Sequence, residues 1–97
     1  MSHYTNIAFL QAKPDKSEAL GDALRHLAAQ SRTEDGCLMF NVHESEARTG
    51  LWFVYEQWAD RTDLDRHFET EHLQSFASRL PELLAEEMQL QGYWLRG

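Results

Sequence analysis

Five consecutive residues of this 97-residue chain, 51–55, are apolar or aromatic, and residues 38–40 nearly repeat the pattern. A strand in a sheet that helices cover on one side alternates apolar and polar side chains, whereas a continuous apolar run indicates burial on both faces. The chain has no further segment to cover the second face. A second subunit therefore has to do so, and we expect a homodimer in which two sheets pack face to face. The alternative is an exposed apolar sheet, which soluble monomers rarely tolerate.

The periodicity of the remaining sequence gives the order of the elements. Strands are expected at residues 4–12, 37–45, 51–59 and 88–95, and helices at about 15–32 and from 60 onwards. Asp15 and Glu18 have the spacing of a capping box at the start of the first helix, and Pro81 is expected to restart a short turn that ends at Leu84. This βαββαβ order predicts an α+β, ferredoxin-like fold with an antiparallel sheet and helices on one face, as a single domain over residues 1–97.

The helix expected after residue 60 has an apolar stripe that changes phase. Asp60 and Asp63 have capping spacing and mark its start. On a continuous helix, Leu64 and Phe68 would be followed three and seven residues after Phe68 by apolar side chains, but both positions are polar. The apolar residues that do follow are Leu73, Phe76, Ala77 and Leu80. The phase change predicts a break or loosened turn at about residues 69–71.

Two histidines flank the expected break. On a regular helix, a spacing of five residues places His67 and His72 about 140° apart, on different faces. A break between them would let both imidazoles face one cavity under the sheet, near Glu56 and Trp58, which the period-2 pattern places on one face of the third strand. In the other interpretation, His67 is a half-exposed surface residue and His72 ends a turn, since histidine pairs outside a motif are common.

Charge and cysteine content argue against several classes of function. Sixteen acidic and nine basic residues give a net charge of −7, which opposes binding to nucleic acid and to anionic membranes. No apolar stretch approaches the length of a membrane span, and the N-terminus lacks the pattern of a signal peptide. The single cysteine, Cys37, cannot form an internal disulfide. We therefore expect a soluble, cytoplasmic protein that binds neither nucleic acid nor membrane.

Three blocks of sequence together resemble a known family. The blocks are Glu34-Asp35-Gly36-Cys37-Leu38-Met39-Phe40, Tyr55-Glu56-Gln57-Trp58-Ala59-Asp60, and His67 and His72 followed by Phe76. In this spacing they are similar to the antibiotic biosynthesis monooxygenase (ABM) family, which belongs to the dimeric α/β-barrel superfamily of ferredoxin-like folds. The resemblance covers essentially the whole chain. The family includes quinol and anthrone monooxygenases that need no cofactor, enzymes that process a small signalling metabolite, and haem-degrading proteins.

At several positions this chain differs from particular groups within the family, and these differences reduce the number of groups that it resembles. Similar members often have a proline just before the second histidine, where this chain has Glu71. Anthrone-type oxygenases have an asparagine at the position of Val54. Haem-degrading members have an asparagine that Asn6 matches, but their tryptophan and histidine positions are occupied by His67 and Ala77. The resemblance is therefore to the quinol-monooxygenase and metabolite-processing group, which shares the Glu-x-Trp block and both histidines.

Oxygenation of a quinol-like or polyphenolic substrate without flavin or metal requires the substrate to give an electron to O₂, which it does readily as a phenolate. The site therefore needs a base in a dry, aromatic-lined pocket. His67 or His72 is the candidate base, and Glu56 is the carboxylate expected to orient it and to stabilise its charged form. The candidate substrate-binding residues are Trp58, Phe40, Phe76 and Asn6.

No cofactor and no metal are expected, because the chain has neither a glycine-rich dinucleotide loop nor the ligand spacing of a known metal motif. Two other functions stay open. The same base and pocket would serve an isomerase that moves a proton beside a carbonyl group. A dimeric protein that binds a small aromatic ligand without converting it would show the same sequence features.

Overall fold

The computed structural model describes residues 3–97, which form a four-stranded antiparallel sheet and three helices. In chain order the elements are β1 (Tyr4–Gln11), α1 (Ser17–Ser31), β2 (Cys37–Glu44), β3 (Leu51–Trp58), α2 (Arg61–Phe68), α3 (Glu71–Leu83) and β4 (Gln89–Trp94). The strand order is β2-β3-β1-β4, and every pairing is antiparallel. This confirms the predicted ferredoxin-like fold, and the predicted strand bounds are correct to within one residue at each end.

The helices cover one face of the sheet, and the covered face has polar side chains at its centre. Along β3 every second residue is buried and the residues between are half-buried. In the strand register, Glu56 lies between Phe40 of β2 and Asn6 of β1. All three residues are at most 5% exposed. A buried carboxyl group beside a buried amide therefore lies under the helices, where an apolar core would be expected.

The first helix begins differently from the prediction. Its apolar stripe packs into the core as expected, with Leu20, Ala23, Leu24, Leu27 and Ala28 buried. The expected capping box does not form: Asp15 has a φ of 68°, and Lys16 occupies the N-cap position without a side-chain capping hydrogen bond. The left-handed backbone at Asp15, which short polar residues tolerate, turns the chain before the helix starts.

The predicted helix break is present. Asp60 caps α2 by accepting a hydrogen bond from the backbone N–H of Thr62. The helix ends at Phe68, and Thr70 has an extended backbone and caps α3 by accepting from the N–H of Leu73 at 3.2 Å. The Thr70 hydroxyl also donates to the carbonyl oxygen of His67 at 2.8 Å. Thr70 therefore ends α2 and starts α3. This is the break that the phase change of the apolar stripe predicted.

The expectation of a separate turn restarting at Pro81 is wrong. Pro81 lies inside α3, which continues to Leu83. Proline lacks a backbone N–H, but near the end of a helix the loss of one hydrogen bond can be tolerated. The carbonyl oxygen of Pro81 accepts a hydrogen bond from Lys13 Nζ at 2.9 Å, which joins the end of α3 to the segment that follows β1.

The other face of the sheet lies away from the three helices and combines apolar side chains with polar ones such as Asn41 and Gln91. The rings of Phe9, Phe53 and His43 form a row across it, with neighbouring centroids 5.3 Å apart. Of the large apolar side chains that are between 38% and 49% exposed, Met39 and Tyr93 belong to this face in the strand register, whereas Leu90 and Trp94 lie opposite Ala8 and Tyr4 on the covered side. The surface that the predicted homodimer requires is therefore available, and the dimer itself stays a prediction. No helix within residues 3–97 combines the length and hydropathy that crossing a membrane requires.

Candidate functional site

The carboxyl group of Glu56 lies in the middle of the covered face and is 5% exposed. It accepts a hydrogen bond from the indole Nε1 of Trp58 at 3.0 Å. Burial raises the pKa of Glu56 to about 7, because the ionised form loses its hydration, while the indole hydrogen bond opposes this rise. The carboxyl group is therefore poised to gain or lose a proton near neutral pH.

Asn6 lies beside Glu56 in the strand register. Its amide lowers the pKa of Glu56, but its Nδ2 atom is buried and makes no hydrogen bond of standard geometry within residues 3–97. A buried amide donor without a partner is costly in a folded protein. Asn6 is therefore available to donate to an oxygen atom that enters the space next to it.

His67 is packed between the sheet and the second helical region and is 1% exposed. Its ring centroid lies 4.9 Å from that of Trp58 and 5.7 Å from that of Phe40. Nδ1 of His67 is 2.8 Å from Oε2 of Glu34, which lies in the loop after α1. Burial lowers the pKa of His67, and the Glu34 carboxylate opposes this change.

The same oxygen of Glu34 also binds the second histidine. Nε2 of His72, in the first turn of α3, is 2.6 Å from Oε2 of Glu34, and the two imidazole centroids are 6.2 Å apart. The helix break therefore brings both histidines to one carboxylate, but it does not place both in one cavity as predicted, because His72 lines the outer side of α3. The expected partner was wrong: Glu34, and not Glu56, contacts and orients the imidazoles. Glu34 belongs to the first of the three sequence blocks that resemble the family. Its contact with the histidines depends on how the loop after α1 packs against α2 and α3.

A small cavity of about 30 Å³ lies between the sheet and the helices. It is lined by five of the predicted site residues, together with apolar side chains from both layers: Asn6, Phe40, Glu56, His67 and Phe76, with Ala8, Leu10, Leu24, Leu27, Val54, Phe68, Leu73, Met88 and Leu90. This volume is large enough for one water molecule but too small for an aromatic ring. Trp58 and His72 are not part of its lining, although both were expected to be; Trp58 is completely buried behind Glu56 and His67.

A larger groove of about 430 Å³ runs on the outside, between α1 and α3. His72 and Phe76 line it, and Phe76 also lines the inner cavity. His72 therefore lies on the solvent side of Glu34, and His67 on the cavity side. Phe76 and Leu27, which line both spaces, separate them.

The arrangement defines which nitrogen of His67 can act. An ionised carboxylate only accepts hydrogen bonds, so the proton of the neutral imidazole lies on Nδ1, toward Glu34. Nε2 of His67 makes no hydrogen bond to any of residues 3–97 and carries the free electron pair. A carboxylate that fixes the imidazole tautomer in this way is the arrangement found in hydrolase triads. Cys37 is not a competing nucleophile, because burial raises the pKa of its thiol to about 11.

Comparison with known proteins agrees with this fold. Residues 3–79 match the family model described as antibiotic biosynthesis monooxygenase. The chain is 30% identical over 78 residues to the candidate monooxygenase YcnE of Bacillus subtilis, covering 80% of this chain and 82% of that protein. It is 31% identical over 84 residues to the uncharacterised protein sll1783 of Synechocystis, covering 87% of this chain but only 57% of that longer protein. The crystal structure of PA3566 from Pseudomonas aeruginosa has a TM-score of 0.93 and 34% identity, covering 100% of this chain and 97% of that one.

Proposed function

Since this chain belongs to the antibiotic biosynthesis monooxygenase family, we propose that it oxygenates a small quinol-like or polyphenolic aromatic with O₂, without a bound cofactor. The observation that carries the proposal is the His67–Glu34 pair at the wall of a cavity that also holds Glu56. A base of this kind generates the phenolate that reacts with O₂. The remaining lining is mostly apolar and keeps water out while the reactive intermediates exist.

In the proposed reaction, Nε2 of His67 takes a proton from a phenolic hydroxyl of the substrate. The Glu34 carboxylate stabilises the imidazolium that forms, through its hydrogen bond to Nδ1. Asn6, whose Nδ2 makes no hydrogen bond of standard geometry within residues 3–97, donates to a substrate oxygen.

The phenolate then gives one electron to O₂, and the resulting semiquinone and superoxide combine into a peroxide at a ring carbon. Loss of water from this peroxide leaves a hydroxylated quinone, so that one quinol and one O₂ become one hydroxyquinone and one water. The imidazolium of His67 or the protonated Glu56, whose pKa is about 7, supplies the proton for the departing water.

The cavity has to open to admit an aromatic ring, because its present volume is about 30 Å³. Phe76 and Leu27 both line the cavity and the groove between α1 and α3, so movement of these two side chains would join the two spaces. A substrate entering by this route would meet Phe40 and Phe76 as stacking partners.

A second candidate function is favoured by one specific feature of the site. Glu56 and His67 place two proton-transfer groups around one cavity, and burial brings the pKa of Glu56 to about 7. Two such groups suit an isomerase that removes a proton next to a carbonyl group and returns it to the neighbouring carbon.

An oxygen electrode distinguishes these functions. The purified chain is supplied with a panel of benzo- and naphthohydroquinones, with each autoxidation rate subtracted. We expect O₂ uptake without added cofactor, and a loss of roughly two to four orders of magnitude in kcat for His67→Gln. Glu46→Gln, at an exposed position between β2 and β3, is the control and should not change the rate.

Two results would contradict the proposal: no uptake above autoxidation with any quinol, or an unchanged rate in His67→Gln. Deuterium incorporation next to the carbonyl of a hydroxyketone in D₂O, followed by proton NMR, would then identify the isomerase. Saturable ligand binding with neither reaction would identify a binding protein.

A further inference from the structure

Three side chains with metal-binding donor atoms meet at one point, each from a different segment of the chain. They are Glu34 from the loop after α1, His67 from the last turn of α2, and His72 from the first turn of α3. One donor atom from each lies within 4.8 Å of the other two. We infer that Glu34, His67 and His72 form a binding site for one divalent transition-metal ion of the Zn²⁺ or Co²⁺ type.

The donor set suits such an ion. Two imidazole nitrogens and one carboxylate oxygen are the ligands of several catalytic zinc sites, which keep a further position open for water or substrate. The same set occurs around non-haem iron. Donor atoms about 2.0–2.2 Å from a tetrahedral zinc ion are roughly 3.3–3.6 Å from one another. The N–O distances of 2.8 and 2.6 Å at this site are those of hydrogen bonds, and all donor atoms lie within 4.8 Å of one another, so the ligand side chains would have to rotate to admit the ion.

The framework around the three ligands is already ordered. Thr70 bonds to the carbonyl oxygen of His67 and caps the helix that carries His72, which fixes the spacing of the two imidazoles. The backbone N–H of Glu34 donates to Ser31, and its carbonyl oxygen accepts from Cys37. Little conformational entropy would therefore be lost on binding, which favours a site whose ligands come from distant parts of the sequence.

The ion also has a route of entry. The side chain of His67 is 2% exposed, whereas those of Glu34 and His72 are 13% and 17% exposed. His72 lines the outer groove of about 430 Å³ between α1 and α3, so the solvent side of the cluster opens into water. The net charge of −7 raises the local concentration of cations around the protein.

Binding would change the state of His67 in a defined way. In the hydrogen-bonded arrangement the proton of the neutral imidazole lies on Nδ1, which faces Glu34. A metal ion on Nδ1 requires that proton to move to Nε2, which is the nitrogen left free for proton abstraction. With the ion bound, Nε2 of His67 would carry the proton and could not act as the base. Under the proposed function the ion would therefore be an inhibitor. The metal site itself does not depend on that function.

The test is a calorimetric titration of the chelator-treated chain with ZnCl₂, repeated with CoCl₂ while the visible absorption of the cobalt is recorded. We expect one ion per chain, with affinity in the micromolar range or tighter and cobalt bands of low coordination number. Nitrogen-15 NMR of the imidazoles should show the proton of His67 moving from Nδ1 to Nε2 as zinc is added. A surface-bound ion would leave that tautomer unchanged.

Glu34→Gln and His72→Asn should each weaken zinc binding by at least 10- to 100-fold, the loss that even an outer partner of a metal ligand causes. His26→Asn and Glu71→Gln line the same groove outside the cluster and are the matched controls, which should bind as the wild type does. Circular dichroism establishes that each variant is folded.

The inference is overturned if the wild type shows no saturable binding, if both cluster variants bind zinc as well as the wild type, or if the controls lose binding equally. None of these results depends on oxygen uptake, so this inference and the proposed monooxygenase activity can fail separately.

Discussion

The two faces of the sheet are formed by the same strands but differ in the side chains at their centres. On the covered face, Glu56 and Asn6 are buried at the centre, and Nδ2 of Asn6 lacks a standard hydrogen bond within residues 3–97, at a cost in folding free energy. On the other face, Phe9 and Phe53 form an apolar row without a buried charge. Polar groups that are costly to bury point to chemistry, whereas an apolar surface with no polar centre points to assembly. We therefore propose that the site is on one face and the subunit contact on the other.

The largest expected effect is on the covered face. Trp58 is completely buried and donates to Glu56, so Trp58→Ala should lower the free energy of unfolding by about 3–5 kcal/mol, measured by urea denaturation. Trp94→Ala is the matched control, because that indole is 43% exposed at the edge of the sheet, and it should cost much less. Equal losses in the two variants would remove the distinction between a packed tryptophan behind the site and an exposed one.

Glu56 should make stability depend on pH in the opposite sense from an ordinary acidic residue. Its pKa is raised from 4.5 to about 7, so the folded state keeps a proton that the unfolded chain has lost. The contribution of Glu56 to the free energy of unfolding is fully present below pH 4.5. It is lost as the pH rises to about 7, a change of roughly 3 kcal/mol. The lowered pKa of His67 acts in the other direction, because the unfolded chain then binds the extra proton.

Comparison of the wild type with Glu56→Gln isolates the contribution of the carboxyl group, since glutamine can still accept from the indole of Trp58. As the pH rises through that window, the free energy of unfolding of the wild type should decrease relative to that of Glu56→Gln. A difference that is independent of pH would show that Glu56 is not held protonated by burial.

The smallest expected effect is on the uncovered face. We propose that the chain is a homodimer joined through this face, including residues 51–55. Phe53→Glu should weaken the dimer by about 2 kcal/mol or more without unfolding the chain, measured by light scattering over a range of concentrations. Ala29→Glu, which adds the same charge to an exposed position of α1, should leave the dimer intact. A wild type that is monomeric at micromolar concentration would contradict the assignment of this face to assembly.

Local features of the structure were predictable from the sequence, and the contacts between distant segments were not. The change of phase between Phe68 and Leu73 located the helix break, because burial on a helix follows a fixed period. Alternation along β3 placed Glu56 and Trp58 on one face. The role of Glu34 could not be derived, since the residue lies in a loop 33 and 38 positions away from the two histidines that it contacts. The start of α1 was also missed, because the left-handed turn at Asp15 is not visible in the apolar pattern.

The central claim is that Glu34 fixes His67 as a neutral base in the cavity wall, with the free electron pair on Nε2. Nitrogen-15 NMR of the metal-free wild-type chain at neutral pH tests this directly, without a substrate. The account predicts that His67 carries its proton on Nδ1 and that Glu34→Gln disturbs this tautomer, while His26 stays unaffected as an exposed histidine. A proton found on Nε2 of His67 in the wild type would contradict the account, because that nitrogen could then not accept a proton from any substrate.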